Sequence, residues 1–284
     1  MAQLIQMRQR IKAIETIKKV THAMRLISMS MHSRLRGKTP LLKNYNKEIS
    51  KLFRKLRFVN PNWTNPVLYP EAPKESNPLF ILIGSQKGLC GTFNTGLIKE
   101  FEKTLTEEQI KNTTFITVGK KAVDYMAKRK TKAIVKEFKD LTVRNFTSIS
   151  QNIVSEILDA KPTYSSVSIF SNELKTFFVQ TPTLVELIPI AEHAEEDLSK
   201  DFGEDYIWYQ KSDDLLDKIA PQYVAANINA LLLESLLAEQ AARFLSMDTA
   251  TRNAKNLLEE TTLKYNKLRQ WTITKELTEL STNF

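Results

Sequence analysis

With 284 residues, 42% of them hydrophobic and 26% charged, the chain is long enough for one large domain or two modest ones and too polar for a membrane-embedded bundle. Its best apolar runs, Leu79–Ile83 and Ala230–Leu233, fall far short of the roughly 18 residues a spanning helix needs. The formal charge is +9, and a lone cysteine, Cys90, excludes an internal disulfide and suits a reducing compartment.

The first predicted element is a long N-terminal helix. Neither glycine nor proline occurs between Ala2 and Arg36; Gly37 and Pro40 are the first. Ile11, Ile14, Ile17, Val20, Met24, Ile27, Met31 and Leu35 step by three or four residues. That spacing is close to the roughly 3.5-residue repeat of a coiled-coil seam. The start, Met1-Ala-Gln-Leu-Ile, lacks a signal-peptide pattern, since charges begin at Arg8. It is basic and acid-poor, as a transit peptide would be, yet the apolar spacing runs on past residue 30 without a small-residue cleavage site. A retained structural helix over residues 1–58 is therefore expected, either as a coiled-coil arm or as an amphipathic helix packed on a core.

Residues 60–78 hold five prolines (Pro61, Pro66, Pro70, Pro73, Pro78) and read as a loop into a unit spanning residues 76–210. There the pattern changes to strand alternating with helix. Leu79–Ile83, Thr113–Val118, Lys132–Phe138 and Val167–Phe170 are strand candidates, and a fifth spans Thr176–Ile188 beyond Asn172-Glu-Leu-Lys. Helices fit at about 92–105, 120–129 and 147–159. This alternation predicts an α/β domain with a mostly parallel, Rossmann-like sheet. Residues 189–211, acidic and irregular, lead out of it.

The last element, over residues 212–284, again lacks glycine and proline from Gln222 onward. One helix of that length spans on the order of 95 Å, several times the usual helix. Leu233, Leu237, Ala241, Phe244, Ala250, Ala254, Leu257 and Leu258 form a stripe, with alanines that admit a close partner helix. The fold class is thus an α/β domain inserted between long terminal helices that pair as an antiparallel coiled coil.

Charge is divided unevenly. Residues 1–58 carry fifteen Lys or Arg against only Glu15 and Glu48, whereas residues 212–284 carry eight basic and ten acidic residues. A basic helical block fits either nucleic acid or protein partners of opposite charge. No aromatic other than His22 and His32 precedes residue 45, so bases would find no stacking platform.

No catalytic constellation is visible. Gly84-Ser-Gln-Lys-Gly-Leu-Cys-Gly91 follows a strand and precedes a helix, where phosphate loops sit, but matches neither GxxxxGK[ST] nor GxGxxG. A structural turn is the better reading. Cys90 has no histidine near it in sequence and reads as a buried, inert thiol. His22, His32 and His193 lack metal-ligand spacing, and Glu192, Glu195, Glu196 and Asp197 read as a solvated loop. No cofactor and no metal is expected.

Three stretches carry a resemblance. They are Ile14-Glu-Thr-Ile-Lys-Lys-Val-Thr-His-Ala-Met24-Arg-Leu-Ile-Ser, Gly88-Leu-Cys-Gly-Thr-Phe-Asn94, and Glu239-Gln-Ala-Ala-Arg243 through Ala254 with Tyr265 through Glu279. In order and spacing they resemble the F-type ATP synthase γ subunits over essentially the whole chain. The resemblance implies a non-catalytic rotor shaft in the central stalk, coupling ion flow to ATP synthesis. Its partners would be the α and β subunits of the catalytic head, the ε subunit and the c-subunit ring, with no nucleic acid. It would lie at the cytoplasmic face of a bacterial membrane, peripheral to it.

The same resemblance makes Met24 and Arg243 a facing pair near the β subunits. It makes Arg269, Gln270, Thr274 and Glu276 polar contacts of the shaft tip. Two departures from the family pattern stand out. Thr92 occupies a position where many members have a second glycine, and Trp271 replaces a smaller residue beside the tip. The chain also lacks the cysteine pair that chloroplast members use as a redox switch, and its start looks bacterial rather than organellar.

Overall fold

A computed structural model of the chain describes residues 2–70, 77–111, 113–129, 134–190 and 212–282. The acidic stretch at 192–197, with His193, lies outside them. Two α-helices come first, α1 (Ala2–Arg36) and α2 (Thr39–Val59). The single N-terminal helix expected over 1–58 is thus broken. The Gly37 and Lys38 amides still donate to the Ser33 and Leu35 carbonyls, at 3.1 and 2.9 Å. Pro40 then opens α2, where its missing N–H costs no hydrogen bond.

The inserted unit follows as β1 (Pro78–Ile83), α3 (Phe93–Thr104), α4 (Glu107–Lys111), β2 (Thr114–Val118), α5 (Lys120–Arg129), β3 (Ile134–Phe138), α6 (Phe146–Asp159), β4 (Ser166–Thr176) and β5 (Val179–Ile188). Its five strands lie in the order β3-β2-β1-β4-β5, parallel except for the antiparallel β4–β5 hairpin. The apolar run Pro-Leu-Phe-Ile-Leu-Ile takes the centre because only a strand covered on both faces can be apolar at every position. Alternation then sorts its side chains. Leu79, Ile81 and Ile83 join Ile116, Ile149 and Ile153 on the face toward α6 and the C-terminal helix, while Leu82 packs with Phe101, Phe115 and Phe170 under α3 and α5.

One expected boundary moves. The break placed at Asn172-Glu-Leu-Lys is strand, and the chain turns at Phe177–Phe178 instead. Asn172 is buried there because its side-chain amide donates to the Phe93 carbonyl. The Leu174 amide donates to the Glu234 carboxylate, which fastens the hairpin to the last helix.

That helix, α7 (Ser212–Thr282), has 71 residues, about 107 Å at the α-helical rise. It runs through Pro221, whose helix bond is lost, and the loss is offset by burial of Leu216, Ala220, Val224 and Ile228 under the sheet. Among the described residues its long partner beyond Arg243 is α1, lying antiparallel. Arg25 meets Asp248 at 2.6 Å, Thr21 meets Thr251 at 2.9 Å, and Arg8 meets the Tyr265 hydroxyl at 3.3 Å.

Inward-facing residues of α1 are Leu4, Met7, Ile11, Ile14, Lys18, Thr21, Arg25, Ser28, His32 and Leu35, alternating by three and four. This heptad differs from the expected seam. Ile11, Ile14, Met24, Met31 and Leu35 are covered, but Ile17, Val20 and Ile27 stand 54%, 52% and 62% exposed. On α7, Ala254 and Leu258 turn inward, while Leu257 is 40% exposed. Polar Thr21, Arg25 and Ser28 take the covered positions, and a purely apolar count misplaces the stripe by part of a turn.

Candidate functional site

Two regions stand out on this frame: the joint where the α/β unit meets α7, and the outer surface of the paired helices. The joint is built on loop 84–91. A Cβ on Gly84 would come within 2.8 Å of the Ala122 amide nitrogen, so the start of α5 can pack on this loop only across a glycine. Five residues on, Leu89 adopts φ 62° with its side chain 60% exposed. A left-handed non-glycine residue costs on the order of 1–3 kcal/mol and persists only where its surroundings fix it.

The fixing comes from α7. Arg243 and Glu239, one helical turn apart, are paired at 2.5 Å with side chains 6% and 3% exposed. The Arg243 guanidinium also donates to the Lys87 carbonyl at 2.9 Å and the Gly88 carbonyl at 3.3 Å. Glu239 accepts in turn from the Gln86 amide at 3.2 Å. The Gln86 side chain donates to Asp140 at 2.7 Å and accepts from the Leu141 amide at 3.3 Å, reaching the segment before α6. Asn94, on α3, accepts from the Ser85 amide at 3.0 Å and donates to the Ser85 hydroxyl at 2.8 Å.

A buried ion pair is strongly destabilising if one member is left alone, so satisfied neighbours are what make this one tolerable. The network ties α3, the loop, the segment before α6 and the long helix into one unit. It also answers the phosphate-loop question: the Ser85 and Gln86 amides are occupied by Asn94 and Glu239 and do not point to an open anion site. Cys90 lies in the same packing, and burial pushes its thiol above the ordinary value, as an inert thiol requires.

The expected contact residues divide between the two regions. Met24 on α1 and Arg243 on α7 both line a cavity of about 380 Å³, together with Gln86. Met24 is half-covered; Arg243 is only 5% exposed and its charge is directed at the loop. Arg269, Gln270, Thr274 and Glu276 are all exposed on the last turns of α7. Close to them, Trp271 is 60% exposed with the Lys275 ammonium 5.5 Å from its ring centroid.

Glu239 and Gln86 are the residues that sequence reasoning missed. A signal was present: Glu239 and Arg243 fall four apart within Ala238, Ala241 and Ala242, a stretch small enough to be buried, and buried charges require partners.

The surface of the paired helices is unusual for an isolated protein. Ile17, Val20, Leu26, Ile27, Leu263, Trp271, Ile273 and Leu277 are each between 47% and 63% exposed. Ile17, Val20, Met24 and Ile27 form their own helical stripe beside the true seam. Exposed apolar surface on this scale marks an interaction face. Among the described residues no His/Cys/Asp/Glu group could hold a metal ion, and no helix is long and apolar enough to cross a membrane.

Comparison with known proteins agrees with this architecture. The ATP synthase family model matches residues 3–283. An ATP synthase γ chain from Chlorobium limicola is 32% identical, covering 99% of this chain and 97% of that protein. The counterpart from Salinibacter ruber is likewise 32% identical, covering 99% and 97%. Among solved structures, a chain of the Euglena gracilis mitochondrial ATP synthase OSCP/F1/c-ring assembly superposes with a TM-score of 0.71 at 16% identity, covering 99% of this chain and 93% of its own. The nucleic-acid reading of the basic arm finds no support in these relatives. The chain belongs to the F-type ATP synthase γ-subunit family, the central stalk of that complex.

Proposed function

We propose that this chain is the non-catalytic rotor shaft of its complex, coupling ion-driven rotation of a membrane ring to ATP synthesis and hydrolysis. In this reading α1 and the distal part of α7 enter a ring of three α and three β subunits. The unit over residues 76–210 stays outside, against the ε subunit and the c-subunit ring, and holds the chain peripherally at the cytoplasmic face of a bacterial membrane. The segments 1–58 and 212–284 form the shaft. Met24, Arg269, Gln270, Thr274 and Glu276 touch the head; Arg243 serves it by fixing loop 84–91 beside Met24.

The observation that carries this is the second apolar stripe, in which Ile17, Val20 and Ile27 are exposed and Met24 half-covered, beside a seam that is already filled. A surface helix has no use for such a stripe unless another protein covers it. The basic residues clustered on α1 and α2 suit an acidic sleeve. A single asymmetric shaft inside a threefold ring presents a different face to each β subunit, and so biases each nucleotide site differently. Moving one site between 1:99 and 99:1 takes about 5.5 kcal/mol of differential contact. Equal contact with both states would shift nothing.

The test is co-expression with the α and β subunits from the same source, followed by stoichiometry and ATPase assay. One copy per three α and three β, with turnover above that of the αβ ring alone, is the expected result. Exclusion from the ring while all three proteins are folded would refute the proposal.

A further inference from the structure

A cavity of about 700 Å³ among the described residues belongs to neither region above. It opens where α1 ends, between the first turns of α2, the tip of the β4–β5 hairpin and the middle of α7. Its size falls within the roughly 300–1,000 Å³ typical of small-molecule sites. Chemically it is two-sided. Leu42, Leu174, Phe177, Leu233 and Leu237 supply an apolar floor. Arg36, Lys43, Lys47 and Lys175 supply exposed cations at its edge.

Lys43 and Lys47 are one turn apart on α2, Arg36 ends α1 and Lys175 lies one residue before the end of β4, so three separate elements bring positive charge to one opening. Among the described residues none of the four makes a close salt bridge, although Lys43 lies near enough to Glu234 to act on its carboxylate through charge. The one acid in the lining, Glu234, is engaged by the Leu174 amide at 3.3 Å. His32, also in the lining, is 6% exposed and leaves its Nε2 without a hydrogen-bond partner.

Burying unpaired polar atoms is costly, and gathering like charges around an apolar hollow is repulsive. The second penalty is relieved by one kind of guest, a single apolar chain ending in an anion. The geometry points to a binding site for a free fatty acid, its alkyl chain on the Leu42–Phe177–Leu233–Leu237 floor and its carboxylate among Arg36, Lys43, Lys47 and Lys175. Such a ligand bridges the α1–α2 break, the hairpin and α7, which is where the shaft leaves the α/β unit. It therefore stiffens that exit.

The test is isothermal titration of the full-length chain with dodecanoate below its micelle concentration. Acetate supplies the head group alone, dodecyltrimethylammonium the same tail with the opposite charge, and dodecyl phosphate a lipid-like head. Saturable one-to-one binding of dodecanoate is expected, no weaker than dodecyl phosphate and with neither acetate nor the cation competing. Lys43→Glu with Lys47→Glu, both at exposed positions and checked by thermal unfolding, is expected to weaken it about ten-fold or more. Equal binding of the cationic tail, unchanged affinity in the double variant, preference for the phosphate head or absence of saturation would overturn the assignment. So would loss of the site once the chain is assembled with α and β, which would mean that a protein partner covers the cavity.

Discussion

Arg243→Ala is the sharpest perturbation of the joint. It deletes one half of a pair whose side chains are 6% and 3% exposed, and leaves the Lys87 and Gly88 carbonyls without their donor. Glu239 keeps only the Gln86 amide. Breaking a buried pair from one side costs about 3–5 kcal/mol, most of it the penalty of the stranded charge. For a chain of this size each kcal/mol lowers Tm by about 2 °C, so a drop of about 6–10 °C is expected. Replacing both members, Glu239→Gln with Arg243→Met, strands no charge and costs less than half as much. Differential scanning calorimetry of wild type, single and double variants measures this directly. A single variant within about 1 kcal/mol of wild type, or a double variant worse than the single, would refute the claim that a satisfied buried pair holds loop 84–91 to the shaft.

Other outcomes follow from burial and titration. Ile14→Asp, at a position 5% exposed, is expected to lower the stability of the isolated chain by about 3 kcal/mol in urea unfolding, whereas Ile17→Asp, 54% exposed, moves it by less than about 0.5 kcal/mol. The hydrogen bond from Arg25 holds Asp248 below its ordinary value of 3.8. A carboxylate depressed in the folded state stabilises above its unfolded pKa and loses that contribution as pH falls through the folded one. The stability gap between wild type and Arg25→Ala should therefore be present at pH 6 and narrow below about pH 4. Burial raises Glu234 above 4.5, which has the opposite sign: its ionised form opposes folding as pH rises through the folded value. Glu234→Gln should stabilise the chain at neutral pH, with the gain vanishing below about pH 4.5 in the same unfolding series.

Much of the fold was legible because its signals are local. The apolar run at Leu79–Ile83, the glycines that end it and the tract without glycine or proline after Gln222 each report a backbone property that neighbours do not alter. What failed depended on tertiary partners. The strand through Asn172 looked like a turn because its polar residues are satisfied by Phe93 and Glu234, which are distant in sequence. The short α4 is only five residues long and leaves almost no periodic trace. The seam of α1 was misplaced because Lys18, Thr21, Arg25 and Ser28 occupy inward positions that an apolar count passes over. Two apolar stripes on one helix, one filled and one exposed, also cannot be ranked without knowing which face the partner helix takes. The Glu239–Arg243 joint was half legible: the residues are prominent in the motif, but the loop they hold is about 155 residues away in sequence.

On the proposed function the chain turns as one body inside the catalytic ring, driven or driving through the outer apolar stripe that is exposed in the isolated chain. The direct measurement attaches a light-scattering rod to the α/β unit at Lys103 on α3, with the α and β subunits immobilised, and follows the rod as ATP is hydrolysed. Sustained rotation in one direction, at a rate that scales with ATP turnover, is the expected result. ATP hydrolysis by the assembled complex with the rod stationary, or moving without direction, would contradict it.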